Sequence, residues 1–157
     1  MISFSRLTRL TPGSVAPDFE ATDQSGAQVT LTDLLSLGRL VLYFYPRDFT
    51  RVCTAEACLF RDASRELAQL NATIAGVSTD TVASHADFAA RHQIPFRLIA
   101  DPDRRITRAY DADRWLGFTK RVTYVIDSDR KVLGAFHHEL SAQKHLEDVR
   151  RVLLGGQ

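Results

Sequence analysis

Tyr43-Phe44-Tyr45-Pro46-Arg47-Asp48-Phe49-Thr50-Arg51-Val52-Cys53-Thr54-Ala55-Glu56-Ala57-Cys58 holds both cysteines of the chain. Its first residues close the run Leu40-Val41-Leu42-Tyr43-Phe44-Tyr45, continuous in apolar and aromatic side chains. Such a run reads as a strand buried on both faces. Pro46 ends it. A helix is expected over residues 53–70, with Phe60, Ala63, Leu67 and Leu70 on one stripe at helical spacing. Cys53 then opens a helix directly after a strand. A thiol there feels the positive end of the helix dipole and the unpaired N–H groups of the first turn. Both favour thiolate, the reactive form. A second thiol five residues on can trap what the first becomes.

Upstream, residues 19–22 and 28–31 read as two short extended pieces. The turn signal Asp23-Gln24-Ser25-Gly26 between them predicts a hairpin. Thr32 is the expected cap of a short helix over residues 33–37, stopped at Gly38. Downstream, strands are expected at 73–78, 96–100, 122–126 and 132–136. Helices are expected at 83–92, with Phe88 and Ala89 inward, and from near Pro102 to Tyr110. A last helix starts at Ser141 and stops before Gly155-Gly156, with Ala142, Leu146, Val149 and Leu153 repeating at four, three and four.

The order is a hairpin, then β-α-β-α-β-α, then β-β-α. Alternating strands and helices demand a sheet covered on both faces. The closing β-β-α is a thioredoxin-like ending, so the expected fold is α/β: a central mixed sheet flanked by helices, with an N-terminal hairpin. In such sheets the reactive site lies at the carboxyl ends of strands, and Cys53 lies just past one.

The 157 residues suit one domain, 1–157, with a sizeable core. A net charge of +1 gives no reason to expect nucleic acid or a membrane surface. No apolar run approaches the roughly 18 residues of a spanning helix. Residues 1–12 lack a continuous apolar core, so a secretory signal is not expected and a cytoplasmic location is. Two cysteines in such a chain point to catalysis or metal binding before a structural staple. Two thiols need further ligands to hold a metal. His85, His92, His137, His138 and His145 show no ligand spacing around them and read as solvated surface residues. Trp115 reads as a partly buried loop anchor, Tyr45 as core, and Arg104, Arg105 and Arg108 as a solvated helix face. Phe49 is left open between pocket and core.

Pro46-x-x-x-Thr50-x-x-Cys53 resembles the active-site signature of the peroxiredoxins. Cys53-x-x-x-x-Cys58, with Thr54, Glu56 and Ala57 between, is similar to the bacterioferritin comigratory (Q-type) subfamily. The likeness extends to Ala16-Pro17-Asp18-Phe19, Pro95-Phe96 and Arg121-Val122-Thr123-Tyr124-Val125-Ile126-Asp127. It implies a thiol peroxidase with no metal and no bound organic cofactor. By resemblance, Cys53 is the peroxidatic thiolate, and the Cys53 N–H, Thr50 hydroxyl and Arg121 guanidinium stabilise the charge that develops on the peroxide. Pro46 shields the sulfenate from water. Glu56 holds Arg121 by a bidentate contact. Cys58 is the resolving thiol, and thioredoxin or a glutaredoxin-like dithiol returns both to the reduced state. A monomer is expected, with a dimer possible.

Helix geometry sets a condition on that pair. Residues five apart in an ideal helix have Cα atoms about 8.7 Å apart and point about 140° from one another. A disulfide needs less than about 7 Å. Either the first turns unwind in each cycle, or Cys58 does not resolve Cys53. A disulfide reductase is the enzymatic rival, but its C-x-x-C spacing is missing. A redox-sensing or chaperone-like thiol switch is the non-enzymatic one. Two departures from the family stand out: Arg51-Val52 replaces small residues before the cysteine, and the segment 111–120 is short. The inter-subunit resolving scheme of typical two-cysteine peroxiredoxins is not expected.

Overall fold

Strand β3, Arg39–Phe44, is an interior strand of the sheet. Its side chains alternate between two cores, as a period of two requires. Leu40, Leu42 and Phe44 join the core on one face, while Val41 and Tyr43 join the core on the other. All five are fully buried, which is why the run is apolar without interruption. The computed structural model describes residues 10–155. The reading of 1–12 as lacking a leader therefore falls mostly outside the described residues.

Seven strands form one mixed sheet: β1 (Glu20–Asp23), β2 (Gln28–Thr30), β3, β4 (Ala72–Ser78), β5 (Arg97–Ala100), β6 (Val122–Ile126) and β7 (Val132–His137). Their spatial order is β2-β1-β5-β4-β3-β6-β7. β3, β4 and β5 are parallel, whereas β6 runs antiparallel to β3 and β7 to β6. The expected hairpin is present as β1 and β2, and it docks antiparallel on β5.

Three helices cover one face: α2 (Arg51–Gln69), α3 (Val82–His92) and α5 (Ala142–Leu153). Phe60, Ala63 and Leu67 of α2 are buried, with Leu70 partly so; Leu146, Val149 and Leu153 do the same for α5. The short helices α1 (Leu31–Leu35) and α4 (Arg105–Ala109) pack on the opposite face. This is the thioredoxin-like arrangement.

Three local expectations are corrected. The cap of α1 is Thr30, not Thr32. Thr30 Oγ1 accepts from Asp33 N–H at 3.0 Å, and Thr30 N–H donates to Asp33 Oδ2 at 3.0 Å, closing a capping box that the two-residue-later start cannot form. Helix α2 begins at Arg51 with Thr50 as N-cap, so Cys53 is its third residue. Trp115 is 82% exposed, with Leu116 and Phe118 beside it also exposed. Backbone bonds hold that loop instead of the indole: Arg114 N–H to Phe118 O at 2.5 Å and Lys120 N–H to Ala112 O at 2.6 Å.

Candidate active site

The register between β3 and β6 brings the distant parts of the motif together. Phe44 lies opposite Val122. Arg121, one residue earlier, therefore sits beside Tyr45, at the end of the sheet where the chain leaves for α2. Arg121 is 8% exposed and its Nη1 comes within 3.8 Å of Glu56 Oε1 on α2. Glu56 lies three residues past Cys53, which is about one helical turn. Cys53, Glu56 and Arg121 thus share one buried corner.

Thr50 caps this helix by backbone geometry only. Its side chain makes no cap bond, and its hydroxyl donates to Arg47 O at 3.1 Å. The first N–H groups of α2, including that of Cys53, are left free of an intrahelical acceptor, as at any helix start. They form a ready site for a negatively charged oxygen. Cys53 is fully buried, Cys58 half-buried, and both are free thiols. Pro46 is half-buried in the loop before them. Tyr45 is core, as expected; Phe49 is 47% exposed and rests edge-on against Phe88 at 5.1 Å.

The bidentate Glu56–Arg121 contact is not what the structure shows. A single nitrogen approaches a single oxygen at 3.8 Å, beyond hydrogen-bond reach, and neither Glu56 oxygen nor Arg121 Nη1 has a hydrogen-bond partner. Arg121 is held elsewhere, by its backbone: its N–H donates to Glu139 Oε2 at 3.2 Å. Removal from water pushes the Glu56 carboxyl up to about 8, against the pull of Arg121 and with a smaller push from Glu139. The Tyr43 hydroxyl is likewise buried without a partner. Its ring lies so close over Gly76 that a Cβ there would stand 2.9 Å from Tyr43 Cζ.

Two histidines read as solvated are buried instead. His145 is 1% exposed and 3.8 Å from Glu56 Oε2. Its Nε2 faces the His138 carbonyl at 2.8 Å and its Nδ1 faces Thr123 Oγ1 at 2.8 Å. A carbonyl only accepts, so Nε2 carries the proton and Thr123 donates to Nδ1. Burial pushes its pKa down to about 4, which keeps the ring neutral. His85 is fully buried, with Nδ1 at 2.7 Å from Asp48 Oδ2 and Nε2 at 3.0 Å from Ile99 O. Both rings satisfy their nitrogens inside the fold, which is what lets a polar group stay there. Asp48, Asp80 and His85 hold metal-ligand atoms within 4.8 Å of one another. Those atoms are spent on one another and on Tyr45, Ser78 and Ser84.

A thioredoxin-like sheet, a cysteine in the first turn of the helix that follows β3, and a buried arginine at the same sheet end define a thiol redox enzyme. The chain belongs to the AhpC/TSA family, whose model matches residues 12–135. A Mycobacterium tuberculosis protein named as a peroxiredoxin is 40% identical over 139 residues, which is 86% of this chain and 90% of that protein. The chloroplastic peroxiredoxin Q of Gentiana triflora is 33% identical over 151 residues, 95% of this chain and 69% of its own length. Among solved structures, the peroxidoxin BcpB of Mycobacterium tuberculosis superposes with a TM-score of 0.90 at 37% identity, over 95% of this chain and 99% of that one. The bacterioferritin comigratory protein of Xanthomonas campestris, described for its alkyl peroxide reduction, gives 0.82 at 28% identity, over 93% and 96% of the two chains. The chain is a peroxiredoxin: a thiol peroxidase that acts on peroxides and is recycled by thiol reductants. Among the described residues, no helix is long and apolar enough to cross a membrane.

Proposed function

We propose that Cys53 is the peroxidatic thiolate and that the surrounding residues act on it in distinct roles. The Cys53 sulfur attacks one oxygen of a hydroperoxide and the O–O bond breaks. The substrate's proton goes to the departing oxygen, so water or an alcohol leaves and Cys53 is left as sulfenate, which takes up a proton from solvent to become sulfenic acid. Negative charge passes from sulfur to the departing oxygen. The Arg121 guanidinium, the Thr50 hydroxyl and the first N–H groups of α2 are the donors for it. Pro46, with no N–H of its own, keeps water from the sulfenate. Glu56 faces Arg121 from one turn along the helix and limits where the guanidinium can go.

Cys58 then attacks the sulfenic acid, releasing water and forming a disulfide within α2. Thioredoxin or a glutaredoxin-like dithiol reduces it. Because both thiols lie on one helix, the cycle needs no second chain, and a monomer carries it in one domain spanning 1–157. A cytoplasmic setting, rich in such reductants, suits this cycle. Hydrogen peroxide and organic hydroperoxides are the substrates.

The observation that carries this reading is the pairing of Phe44 with Val122, which delivers buried Arg121 to the helix whose first turn holds Cys53. The test is peroxide consumption by purified protein with thioredoxin and its reductase, set against dithiothreitol alone. Turnover with both supports the cycle. Turnover with dithiothreitol only would reassign the reductant, and consumption with neither would mark a stoichiometric sensor.

A further inference from the structure

Asp48 sits in the loop 45–50, between Pro46 and Thr50, yet it is 3% exposed. Its carboxylate gathers three groups. Tyr45 Oη donates to Oδ1 at 2.6 Å, and Ser84 Oγ donates to Oδ2 at 2.8 Å. His85 Nδ1 meets Oδ2 at 2.7 Å. The Asp48 backbone N–H donates to Asp80 Oδ2 at 2.7 Å, and Ser78 Oγ binds that same oxygen at 2.6 Å. His85 Nε2 in turn holds the carbonyl of Ile99 on β5 at 3.0 Å.

Proton counting constrains this network. Ile99 O is an acceptor, so His85 Nε2 carries a proton. The short contact from Nδ1 to a carboxylate oxygen requires another proton between them. His85 and Asp48 together are therefore a neutral pair that shares one proton, and neither leaves an unpaired charge.

The residue after Asp48 explains why the loop needs this anchor. Phe49 has φ +68, the left-handed region that a side chain resists. Such a conformation persists only where its surroundings over-determine it. Asp48 fixes one side of Phe49, and the start of α2 fixes the other. Phe49 itself is half in solvent, packed on Phe88 with Arg91 6.0 Å above its ring.

We infer that Asp48 and His85 are positioning residues for the peroxidase reaction: they clamp the loop between Pro46 and Thr50 to α3 and β5, and so hold both beside Cys53. The inference rests on the reading of Cys53 as the peroxidatic thiol. Neither residue touches the sulfur or the substrate in this account. Their effect is on where Pro46 and Thr50 stand when charge reaches the departing oxygen. A displacement of about 1 Å at such a site can cost about 10²-fold in rate.

The test uses the full chain in a Cys58→Ser background, so that only Cys53 reports. Single-turnover oxidation by hydrogen peroxide is compared with alkylation by iodoacetamide. Alkylation needs thiolate and access but no donors aimed at a leaving oxygen. Asp48→Ala is expected to slow peroxide oxidation by about 10–100-fold without slowing alkylation. Asp48→Asn should restore most of the rate, since its amide can donate to His85 Nδ1 and accept from Tyr45. Should Asp48→Ala fail to fold, Tyr45→Phe removes one clamp bond alone and should slow peroxide while sparing alkylation. Wild-type peroxide rates in Asp48→Ala or Tyr45→Phe would overturn the proposal, as would parallel slowing of both reagents. If the Cys58→Ser parent itself fails to react with peroxide, the assignment of Cys53 falls, whatever the clamp variants do.

Discussion

Glu56 Oε1 and Arg121 Nη1 stand 3.8 Å apart in the protein interior, an ion pair by distance with no hydrogen bond to complete it. Desolvation outweighs attraction at this spacing, and Glu56 holds its proton up to about pH 8. The carboxyl is therefore a stored cost at neutral pH, and the arginine keeps its charge for a neighbouring anion.

That cost has a definite pH dependence. The folded-state pKa of Glu56 lies above its unfolded value of 4.5, so between about 4.5 and 8 the folded protein binds more protons and stability falls as pH rises. His145 acts in the opposite sense. Its pKa drops from 6.5 to about 4, so stability falls as pH drops through that range. The two slopes oppose one another where the windows overlap. Glu56→Gln should be more stable than wild type at pH 8, by as much as a few kcal/mol, since each tenfold change in proton affinity is worth about 1.4 kcal/mol. The advantage should shrink toward pH 5, where the variant is left with the His145 slope. Urea denaturation across this range measures it, and a pH-independent difference would contradict the buried-carboxyl account.

Arg121→Met should slow oxidation by peroxide by about 10²–10³-fold, the usual cost of one strong transition-state donor. The loss of fold should be small, because Arg121 is anchored through its backbone N–H to Glu139, which any side chain preserves. Stopped-flow oxidation and a thermal melt decide it. An unchanged second-order rate constant would remove Arg121 from the site.

Oxidation should unwind the start of α2. Its hydrogen bonds now run from Thr54 N–H to Thr50 O onward. The helix holds Cys53 and Cys58 at a spacing that a disulfide cannot span. The buried stripe of Phe60, Ala63 and Leu67 keeps the later turns docked. After peroxide treatment, amides over residues 53–58 should exchange faster while those beyond Ala63 stay protected. Mass spectrometry should find the Cys53–Cys58 bond. A dominant cross-link between chains would show that Cys58 is not the resolving residue.

Much of the fold is legible in the sequence because its signals are local. The uninterrupted run 40–45 announces a strand buried on both faces, and the stripe from Phe60 to Leu67 announces the helix beside it. The signature Pro46-x-x-x-Thr50-x-x-Cys53 points to the chemistry. What stays hidden is non-local. His85 and His145 look like surface residues because the side chains that pair their Nδ1 atoms, Asp48 and Thr123, lie 37 and 22 residues away. The one available signal for His85 is its place three residues before inward-facing Phe88, on the same helix face. The detached Glu56–Arg121 geometry depends on a register that no spacing reveals. Trp115 misleads because an indole suggests burial, whereas backbone bonds hold its loop.

Whether Cys53 alone meets the peroxide is decided by single-turnover oxidation of Cys53→Ser and Cys58→Ser side by side. Cys58→Ser should consume one equivalent of hydrogen peroxide per chain at the wild-type rate and stop as sulfenic acid, while Cys53→Ser should consume none at a comparable rate. A Cys53→Ser protein that removed peroxide as fast as wild type would contradict the assignment of Cys53.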